Sequence, residues 1–224
     1  VAKHGNRAVS SECGSADVLE ALGVKLDVPT VHVERSISRI GIGFLYAPLF
    51  HGAMKYAAGP RREMGIRTLF NLLGPLTNPA GASVQVLGVY DPSLTEKIAA
   101  VLRNLGSREA FVVCGDGSFD EISICGPTTI SHLKDGRINT FRMLPEDFGM
   151  NTAALEDIRG GAAGRNAEIV REVLGGERSP RRDIVLLNAG AAIVAAGRAS
   201  DFRGGIKLAA ESIDSGRAIG KLEQ

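Results

Sequence analysis

The sequence has no marked excess of charge of one sign. In 224 residues, 26 lysines and arginines face 25 aspartates and glutamates, a formal net charge of +1. That balance excludes a global field drawing the chain onto nucleic acid or an anionic membrane, and leaves open only a local basic patch. Cysteine is scarce: Cys13, Cys114 and Cys125 make an odd count of 3, with no CxxC spacing. This argues against a disulfide framework or a zinc knuckle. Cys114, after the apolar run 111–113, reads as a buried thiol in a reducing cytosol. No run is apolar for long enough to span a bilayer. The start does not have the form of a signal peptide, because the first apolar pair is followed at once by Lys3 and His4. Internal repeats and low-complexity segments are missing.

What is present suits a folded chain. Hydrophobic residues make up 44% and charged residues 23%, close to the globular average, and the length suffices for one large domain or two small ones. Short apolar runs alternate with helical stretches, which predicts an α/β layer architecture. The spacing predicts helices over 15–22, 30–40, 51–64 (broken or kinked at Gly59-Pro60), 93–105 and 180–196, with a helical turn over 68–73 before Gly74-Pro75. From residue 162 onward the chain reads as mostly helical, closing with 209–213 and 215–222. Strands are predicted over 84–90, 109–114, 121–124, 128–133 and 138–142, the last two joined as a hairpin through Lys134-Asp135-Gly136. Residues 44–49 read as a short apolar connector.

The opening, VAKHGNRAVSSECGSADVLEALG, places Lys3, His4, Asn6 and Arg7 ahead of Ser10, Ser11, Gly14 and Ser15 at a helix start. Backbone amides there carry partial positive charge and small residues let an oxyanion come close, so the loop reads as a phosphate or pyrophosphate cradle. The plainer alternative is an ordinary N-capping loop. It has neither the Walker A pattern nor G-x-G-x-x-G. The turn GDGSFDE, leaving the end of a predicted strand, carries adjacent Asp120 and Glu121. Such a pair suits a hard divalent cation such as Mg²⁺ held partly by substrate phosphates, or is an acidic surface turn. In RREMGIR (61–67) one arginine could turn inward as a fork for a carboxylate, while the rest read as a solvated face. NLLGPLTNP (71–79) reads as a rigid loop lining a site, or as structural punctuation. His32, His51 and His132 share no ligand spacing and read as surface or core residues, whereas His4 lies within the cradle.

Together these segments resemble one family, the anthranilate phosphoribosyltransferases of tryptophan biosynthesis. The matching stretches are VAKHGNRAVSSECGSADVLEALG, GPRREMGIRTLFNLLGPLTNPAGA, GDGSFDEIS and PRRDIVLLNAGAAI, in the family's order and over nearly the whole chain. KHGNR and LFNLLGPLTNP are specific; the last stretch is less so. The resemblance implies transfer of 5-phosphoribose from phosphoribosyl pyrophosphate to anthranilate, with Mg²⁺ and without a covalent nucleophile. It implies that Lys3, His4, Gly5, Asn6, Arg7, Ala8, Val9, Ser10, Ser11 and Ser15 bind phosphoribosyl pyrophosphate. Asn6, Arg61 and Gly74 would face anthranilate, Arg61 meeting its carboxylate. Asp120 and Glu121 would hold the metal, so that loop and acidic pair serve one diphosphate.

The implied fold is α/β, a mostly parallel central sheet flanked by helices, of the nucleoside phosphorylase/phosphoribosyltransferase type, with a helical insertion. The expected domains are 1–35 with 74–224 as the substrate-binding α/β part, and 36–73 as a helical segment packing on a helical domain that precedes KHGNR in the family. The family's GTGGD-type and Asn-x-Ser-Thr stretches also precede KHGNR and are not in this sequence. Val1 therefore reads as a cut end inside a larger, cytoplasmic, homodimeric enzyme, and the piece alone is expected to be inactive. Glu12 and Cys13 depart from the family's usual lysine or serine and small residue, placing a negative charge near the proposed anion site. Two other readings are a pyrimidine nucleoside phosphorylase and a non-catalytic nucleic-acid-binding relative. Arg61 and the NLLGPLTNP loop disfavour the first, and the charge balance disfavours the second.

Overall fold

A computed structural model describes residues 1–8, 12–52, 56, 63 and 70–224. The backbone divides into two compact units, Val1–Ala82 with Gly160–Ile169 and Gln224, and Ser83–Arg159 with Val170–Glu223. Among the described residues, no helix is long and apolar enough to cross a membrane.

In the first unit, β1 (Ala2–Gly5) and β2 (Gly43–Tyr46) pair in parallel, with Lys3 opposite Phe44 and His4 opposite Leu45. The same unit contains α1 (Ser15–Ala21), α2 (Thr30–Arg39), α3 (Ala47–Phe50) and α4 (Phe70–Leu76). Helices 15–22 and 30–40 form within a residue of their expected ends. The expected connector 44–49 is instead a strand running into a helical turn. Four residues are too few to display a period of two, yet β1 needs a partner for its backbone groups, and β2, with Leu45 buried, supplies it. Gly74 and Pro75 lie inside the last turn of α4 rather than in a loop. Pro75 has no N–H to donate back into α4, and the helix ends one residue after it. The Thr77 hydroxyl donates to the carbonyls of Leu73 (3.0 Å) and Gly74 (3.2 Å), satisfying two of its terminal acceptors. The expected helix over 51–64 falls largely outside the described residues.

In the second unit, four strands lie in the order β3 (Val84–Gly88), β4 (Glu109–Gly115), β5 (Thr128–Lys134) and β6 (Arg137–Met143). β3 and β4 are parallel, as their connection through α5 (Thr95–Asn104) requires. β5 and β6 add antiparallel neighbours. Their two-residue turn has left-handed Asp135 (φ 49°) and Gly136 (φ 74°), matching the expected hairpin. Every residue of β4 is buried, as a near-continuous apolar run requires.

Residues 121–124 are not a strand. Ile122 and Ile124 are fully buried, but their segment joins no ladder. Helices then dominate the rest of the chain: α6 (Leu155–Ile158), α7 (Ala163–Leu174), α8 (Pro180–Ala195), α9 (Phe202–Asp214) and α10 (Arg217–Leu222). α8 begins with Pro180 at its first turn and presents Ile184, Leu187, Ala191 and Val194 to a core shared with Phe111, Val113, Ile122, Ile124, Ile130 and Phe148. The α/β class expected from the alternation of elements holds.

α8 and α9 cross at two glycines. A Cβ on Gly205 would strike the Gly190 carbonyl, and one on Gly190 would lie 2.9 Å from the Ile206 nitrogen. Backbone cannot yield as a flexible side chain does. Gly205→Ala is therefore expected to lower stability by about 1–3 kcal/mol. Gly220→Ala, where a Cβ meets nothing within 4 Å, should match or slightly exceed the parent. Urea unfolding of the two variants side by side checks this; equal midpoints would remove the crossing from the account.

Candidate functional site

β1 delivers Lys3 and His4 and then releases the chain into a loop that returns to α1. The loop is tied back by backbone: Ala16 N–H donates to the Asn6 carbonyl at 3.2 Å. Gly14 permits this approach, because a Cβ there would meet the backbone of Arg7 and Ala8. Asp17, in the first turn of α1, accepts from the N–H groups of Gly14 (2.9 Å) and Ala8 (3.1 Å) with one oxygen. Its other oxygen meets Arg7 Nη1 at 3.1 Å. Arg7 also forks onto Glu20 (2.6 and 2.7 Å) and donates from Nε to the Tyr46 hydroxyl at 3.0 Å. The Asn6 side-chain oxygen accepts from the N–H of Arg7 at 2.8 Å.

This geometry revises the cradle expected from sequence. Two amides, that of Gly14 just ahead of α1 and that of Ala8 in the loop, are occupied by a carboxylate from inside the chain. The Arg7 guanidinium is likewise held by Glu20, Asp17 and Tyr46. Lys3 is exposed, and Gly5 and Ser15 stand together, since a Cβ on Gly5 would lie 2.6 Å from the Ser15 hydroxyl. Val9, Ser10, Ser11 and Arg61, all assigned by resemblance, lie outside the described residues.

His4 meets two partners from distant sequence. Its Nε2 lies 3.1 Å from Nε2 of His51, with the rings edge to face, and its ring also hydrogen-bonds the backbone of Gly74. Burial first, and then the neighbouring His51, push its pKa below the usual histidine value, against the opposing hydrogen bond to Gly74. His4 and Gly74, both singled out in the sequence, are thus brought together. His51, read as an ordinary surface or core histidine, is the residue that sequence reasoning missed. It carries no spacing signal, because 47 residues separate it from His4.

In the second unit, Asp120 and Glu121 are exposed on the segment between β4 and β5. Gly115 and Phe119 exchange backbone hydrogen bonds (2.7 and 3.2 Å), closing a tight turn just before them. Just after them, Ile122 is fully buried. The Asp120 carbonyl lies against the α-carbon of Gly88, the last residue of β3, where a Cβ would collide with it. The Ile122 N–H donates to Asn188 Oδ1 (3.0 Å), and the Ile122 carbonyl accepts from Asn188 Nδ2 (2.9 Å). The pair is therefore presented by a fixed backbone. Burial raises the pKa of the nearby Cys114 thiol, and the charges of Asp91, Asp120 and Asp116 raise it further. Those same three carboxylates mark a zone of negative potential at the carboxyl ends of β3 and β4. Asp120 and Glu121 offer oxygen donors only, which fits Mg²⁺, an ion that keeps several waters and takes one or two carboxylates beside phosphate oxygens. No cluster of three or more histidine, cysteine, aspartate or glutamate side chains suited to a metal occurs among the described residues, so a metal here would need oxygens from a ligand.

The pKa of Asp17 lies below the ordinary 3.8, first through the N–H of Ala8 and then through that of Gly14. A depressed carboxylate stabilises the fold above its unfolded pKa, and that contribution is lost as pH falls through the folded value. The amide resonances of Ala8 and Gly14 are accordingly expected to titrate together, with a midpoint below 3.8, and to stop titrating in Asp17→Asn. Independent titration of the two amides would dissolve the link.

Comparison with known proteins bears on the whole chain. Residues 1–219 match the family described as "Glycosyl transferase family, a/b domain". The chain is 59% identical, over its whole length and 66% of the relative's, to the anthranilate phosphoribosyltransferase of Desulfosudis oleivorans. It is 60% identical, with the same coverage, to that of Syntrophobacter fumaroxidans. Among solved structures, anthranilate phosphoribosyltransferase from Thermus thermophilus superposes with a TM-score of 0.94 at 45% identity, covering 100% of this chain and 66% of that one. The Saccharomyces cerevisiae enzyme in complex with PRPP and Mg gives a TM-score of 0.88 at 34% identity, covering 99% and 62%. The chain thus spans just under two thirds of the length of these relatives. A family match from the first residue almost to the last, on the α/β fold described above, shows that the chain belongs to the glycosyl transferase family, as its a/b domain.

Proposed function

We propose that the protein transfers 5-phosphoribose from phosphoribosyl pyrophosphate to anthranilate, giving N-(5-phosphoribosyl)anthranilate and pyrophosphate in tryptophan biosynthesis. The observation that carries this reading is the unbroken likeness, in sequence and backbone, to relatives of that name. The yeast relative's complex with PRPP and Mg supports the choice of donor and metal. In the proposed reaction the anthranilate amine attacks the anomeric carbon of the ribose. The C–N bond forms, the C–O bond to pyrophosphate breaks, the leaving group takes the electron pair, and the amine gives its proton to solvent.

The residues divide the work by chemistry. An aromatic amine is a weak nucleophile, so charge growing on the departing pyrophosphate must be neutralised. Lys3 is read as one source of positive charge, with Ser15 and, by resemblance, Val9, Ser10 and Ser11 as further donors. Mg²⁺, when bound, would supply Lewis-acid stabilisation of that charge, and Asp120 and Glu121 are the residues read as holding it. Arg7, engaged by Glu20 and Asp17, is read as fixing the loop rather than touching phosphate. His4, hydrogen-bonded to the backbone of Gly74, is read as lining the anthranilate site with Asn6, and Arg61 as gripping the anthranilate carboxylate. The finer readings, a homodimer and a cytoplasmic location, belong to the same proposal.

The natural protein containing this chain, given phosphoribosyl pyrophosphate, anthranilate and Mg²⁺, is expected to consume anthranilate with matching release of pyrophosphate. Asp120→Asn with Glu121→Gln should lower kcat/KM by about 100-fold, the scale for losing one key stabiliser of developing charge. Phosphorolysis of thymidine with no use of anthranilate would overturn the reading.

A further inference from the structure

We infer that Asn188 is the positioning residue of the acidic pair; this rests on the reading of Asp120 and Glu121 as the metal-holding residues. Asn188 sits in the middle of α8, and its amide grips the residue that follows the two acids. Oδ1 accepts from the Ile122 N–H at 3.0 Å, while Nδ2 donates to the Ile122 carbonyl at 2.9 Å and to the Ile184 carbonyl, one turn back on α8, at 3.0 Å. One acceptor and two donors are all engaged, so the orientation of the amide is fixed: a flip would set N–H against N–H and oxygen against two carbonyls.

The grip has the pattern of a strand partner reduced to a single side chain. Ile122 is fully buried, its segment pairs with no strand, and both its backbone groups are satisfied by this one amide. Asn188 is itself fixed, because Ile184, Leu187 and Ala191 on either side of it in α8 lie in the core. The direction of Glu121, one residue before Ile122, follows from that anchor. Asp120 is fixed from the other side, by its carbonyl against Gly88. A carboxylate of the same length keeps the acceptor but offers no donor to the two carbonyls. An aliphatic side chain offers neither.

The test compares Asn188→Ala, Asp120→Asn with Glu121→Gln, and a core control on the same helix, Val194→Ala, in the natural protein. Two readouts are taken: amide hydrogen exchange at Ile122, and binding of Mn²⁺ with phosphoribosyl pyrophosphate, followed by the electron paramagnetic resonance of Mn²⁺. Asn188→Ala is expected to speed exchange at Ile122 and to weaken Mn²⁺ binding by about tenfold or more, the usual effect of removing a group that orients a metal ligand. Val194→Ala should do neither. A second variant, Asn188→Asp, should keep Ile122 protected through Oδ1 while losing the bonds to both carbonyls. If the double carboxylate variant binds Mn²⁺ as the parent does, the metal reading fails and this inference with it. If that variant weakens binding but Asn188→Ala does not, or if Val194→Ala weakens it equally, the inference alone is overturned and the metal reading stands.

Discussion

The segment that carries Asp120 and Glu121 enters the core without being a strand, and every backbone group it buries must find a partner other than a ladder. An unpaired buried amide or carbonyl costs on the order of 1–3 kcal/mol, enough to expel a loop that has only a few side chains to bury. Here polar side chains and a neighbouring loop supply the partners. Asn188 takes both groups of Ile122. The Thr128 hydroxyl accepts from Ser123 N–H at 3.0 Å, the Ser123 hydroxyl accepts from Cys125 N–H at 2.9 Å, and the Ile124 carbonyl accepts from Ala153 N–H at 2.9 Å. Because Ile122 and Ile124 can then be buried completely, the preceding two carboxylates are held in water at a defined place. Exposure of the acids and burial of the isoleucines are two ends of one lever.

The opening loop of the first unit is held by a different force. Its backbone returns to α1 under the pull of charges: Asp17 on two amides, Arg7 across to Asp17 and Glu20. Asp17 takes the N–H of Gly14, just ahead of α1, and that of Ala8 in the loop. An external phosphate would need donors other than these two amides, and Lys3 and Ser15 are among those proposed for it. Arg7 offsets the charge of the two acids.

Much of this is legible in the sequence, and the limits have physical causes. Helices 15–22 and 30–40, strand 109–114 and the hairpin at Asp135-Gly136 are readable, because each has a sustained period, a continuous apolar run or a residue that only one turn tolerates. Residues 121–124 look like a strand because Ile122 and Ile124 alternate with polar neighbours. Alternation reports only that those side chains are buried, and here a side chain on α8 replaces the strand partner. β2 is invisible for the opposite reason, being four residues long and apolar without a period. The acidic pair is legible as chemistry, Asp120 beside Glu121. Its supports are not, since Asn188 lies 66 residues from Ile122 and Gly88 reads as any strand glycine until Asp120 is seen against it. Arg7 is legible as a charge, but its partners Glu20 and Tyr46 depend on how the loop folds back.

The two loops consequently differ in what they can withstand. Ion pairs between exposed groups such as Arg7 and Glu20 are screened by salt and weakened when carboxylates take up protons. Their contribution is conditional on the medium. The amide of Asn188 is neutral, and its bonds are made where water competes poorly, so they are indifferent to ionic strength and to pH over the range in which carboxylates titrate. The first arrangement keeps Arg7 and the amides of Ala8 and Gly14 engaged within the loop, so that a polyanion, on the proposed reading, meets Lys3 and Ser15 instead. For a pair of carboxylates proposed to meet a hard cation the second is the useful one, because such a cation demands near-fixed oxygen positions and a backbone that drifts would forfeit them.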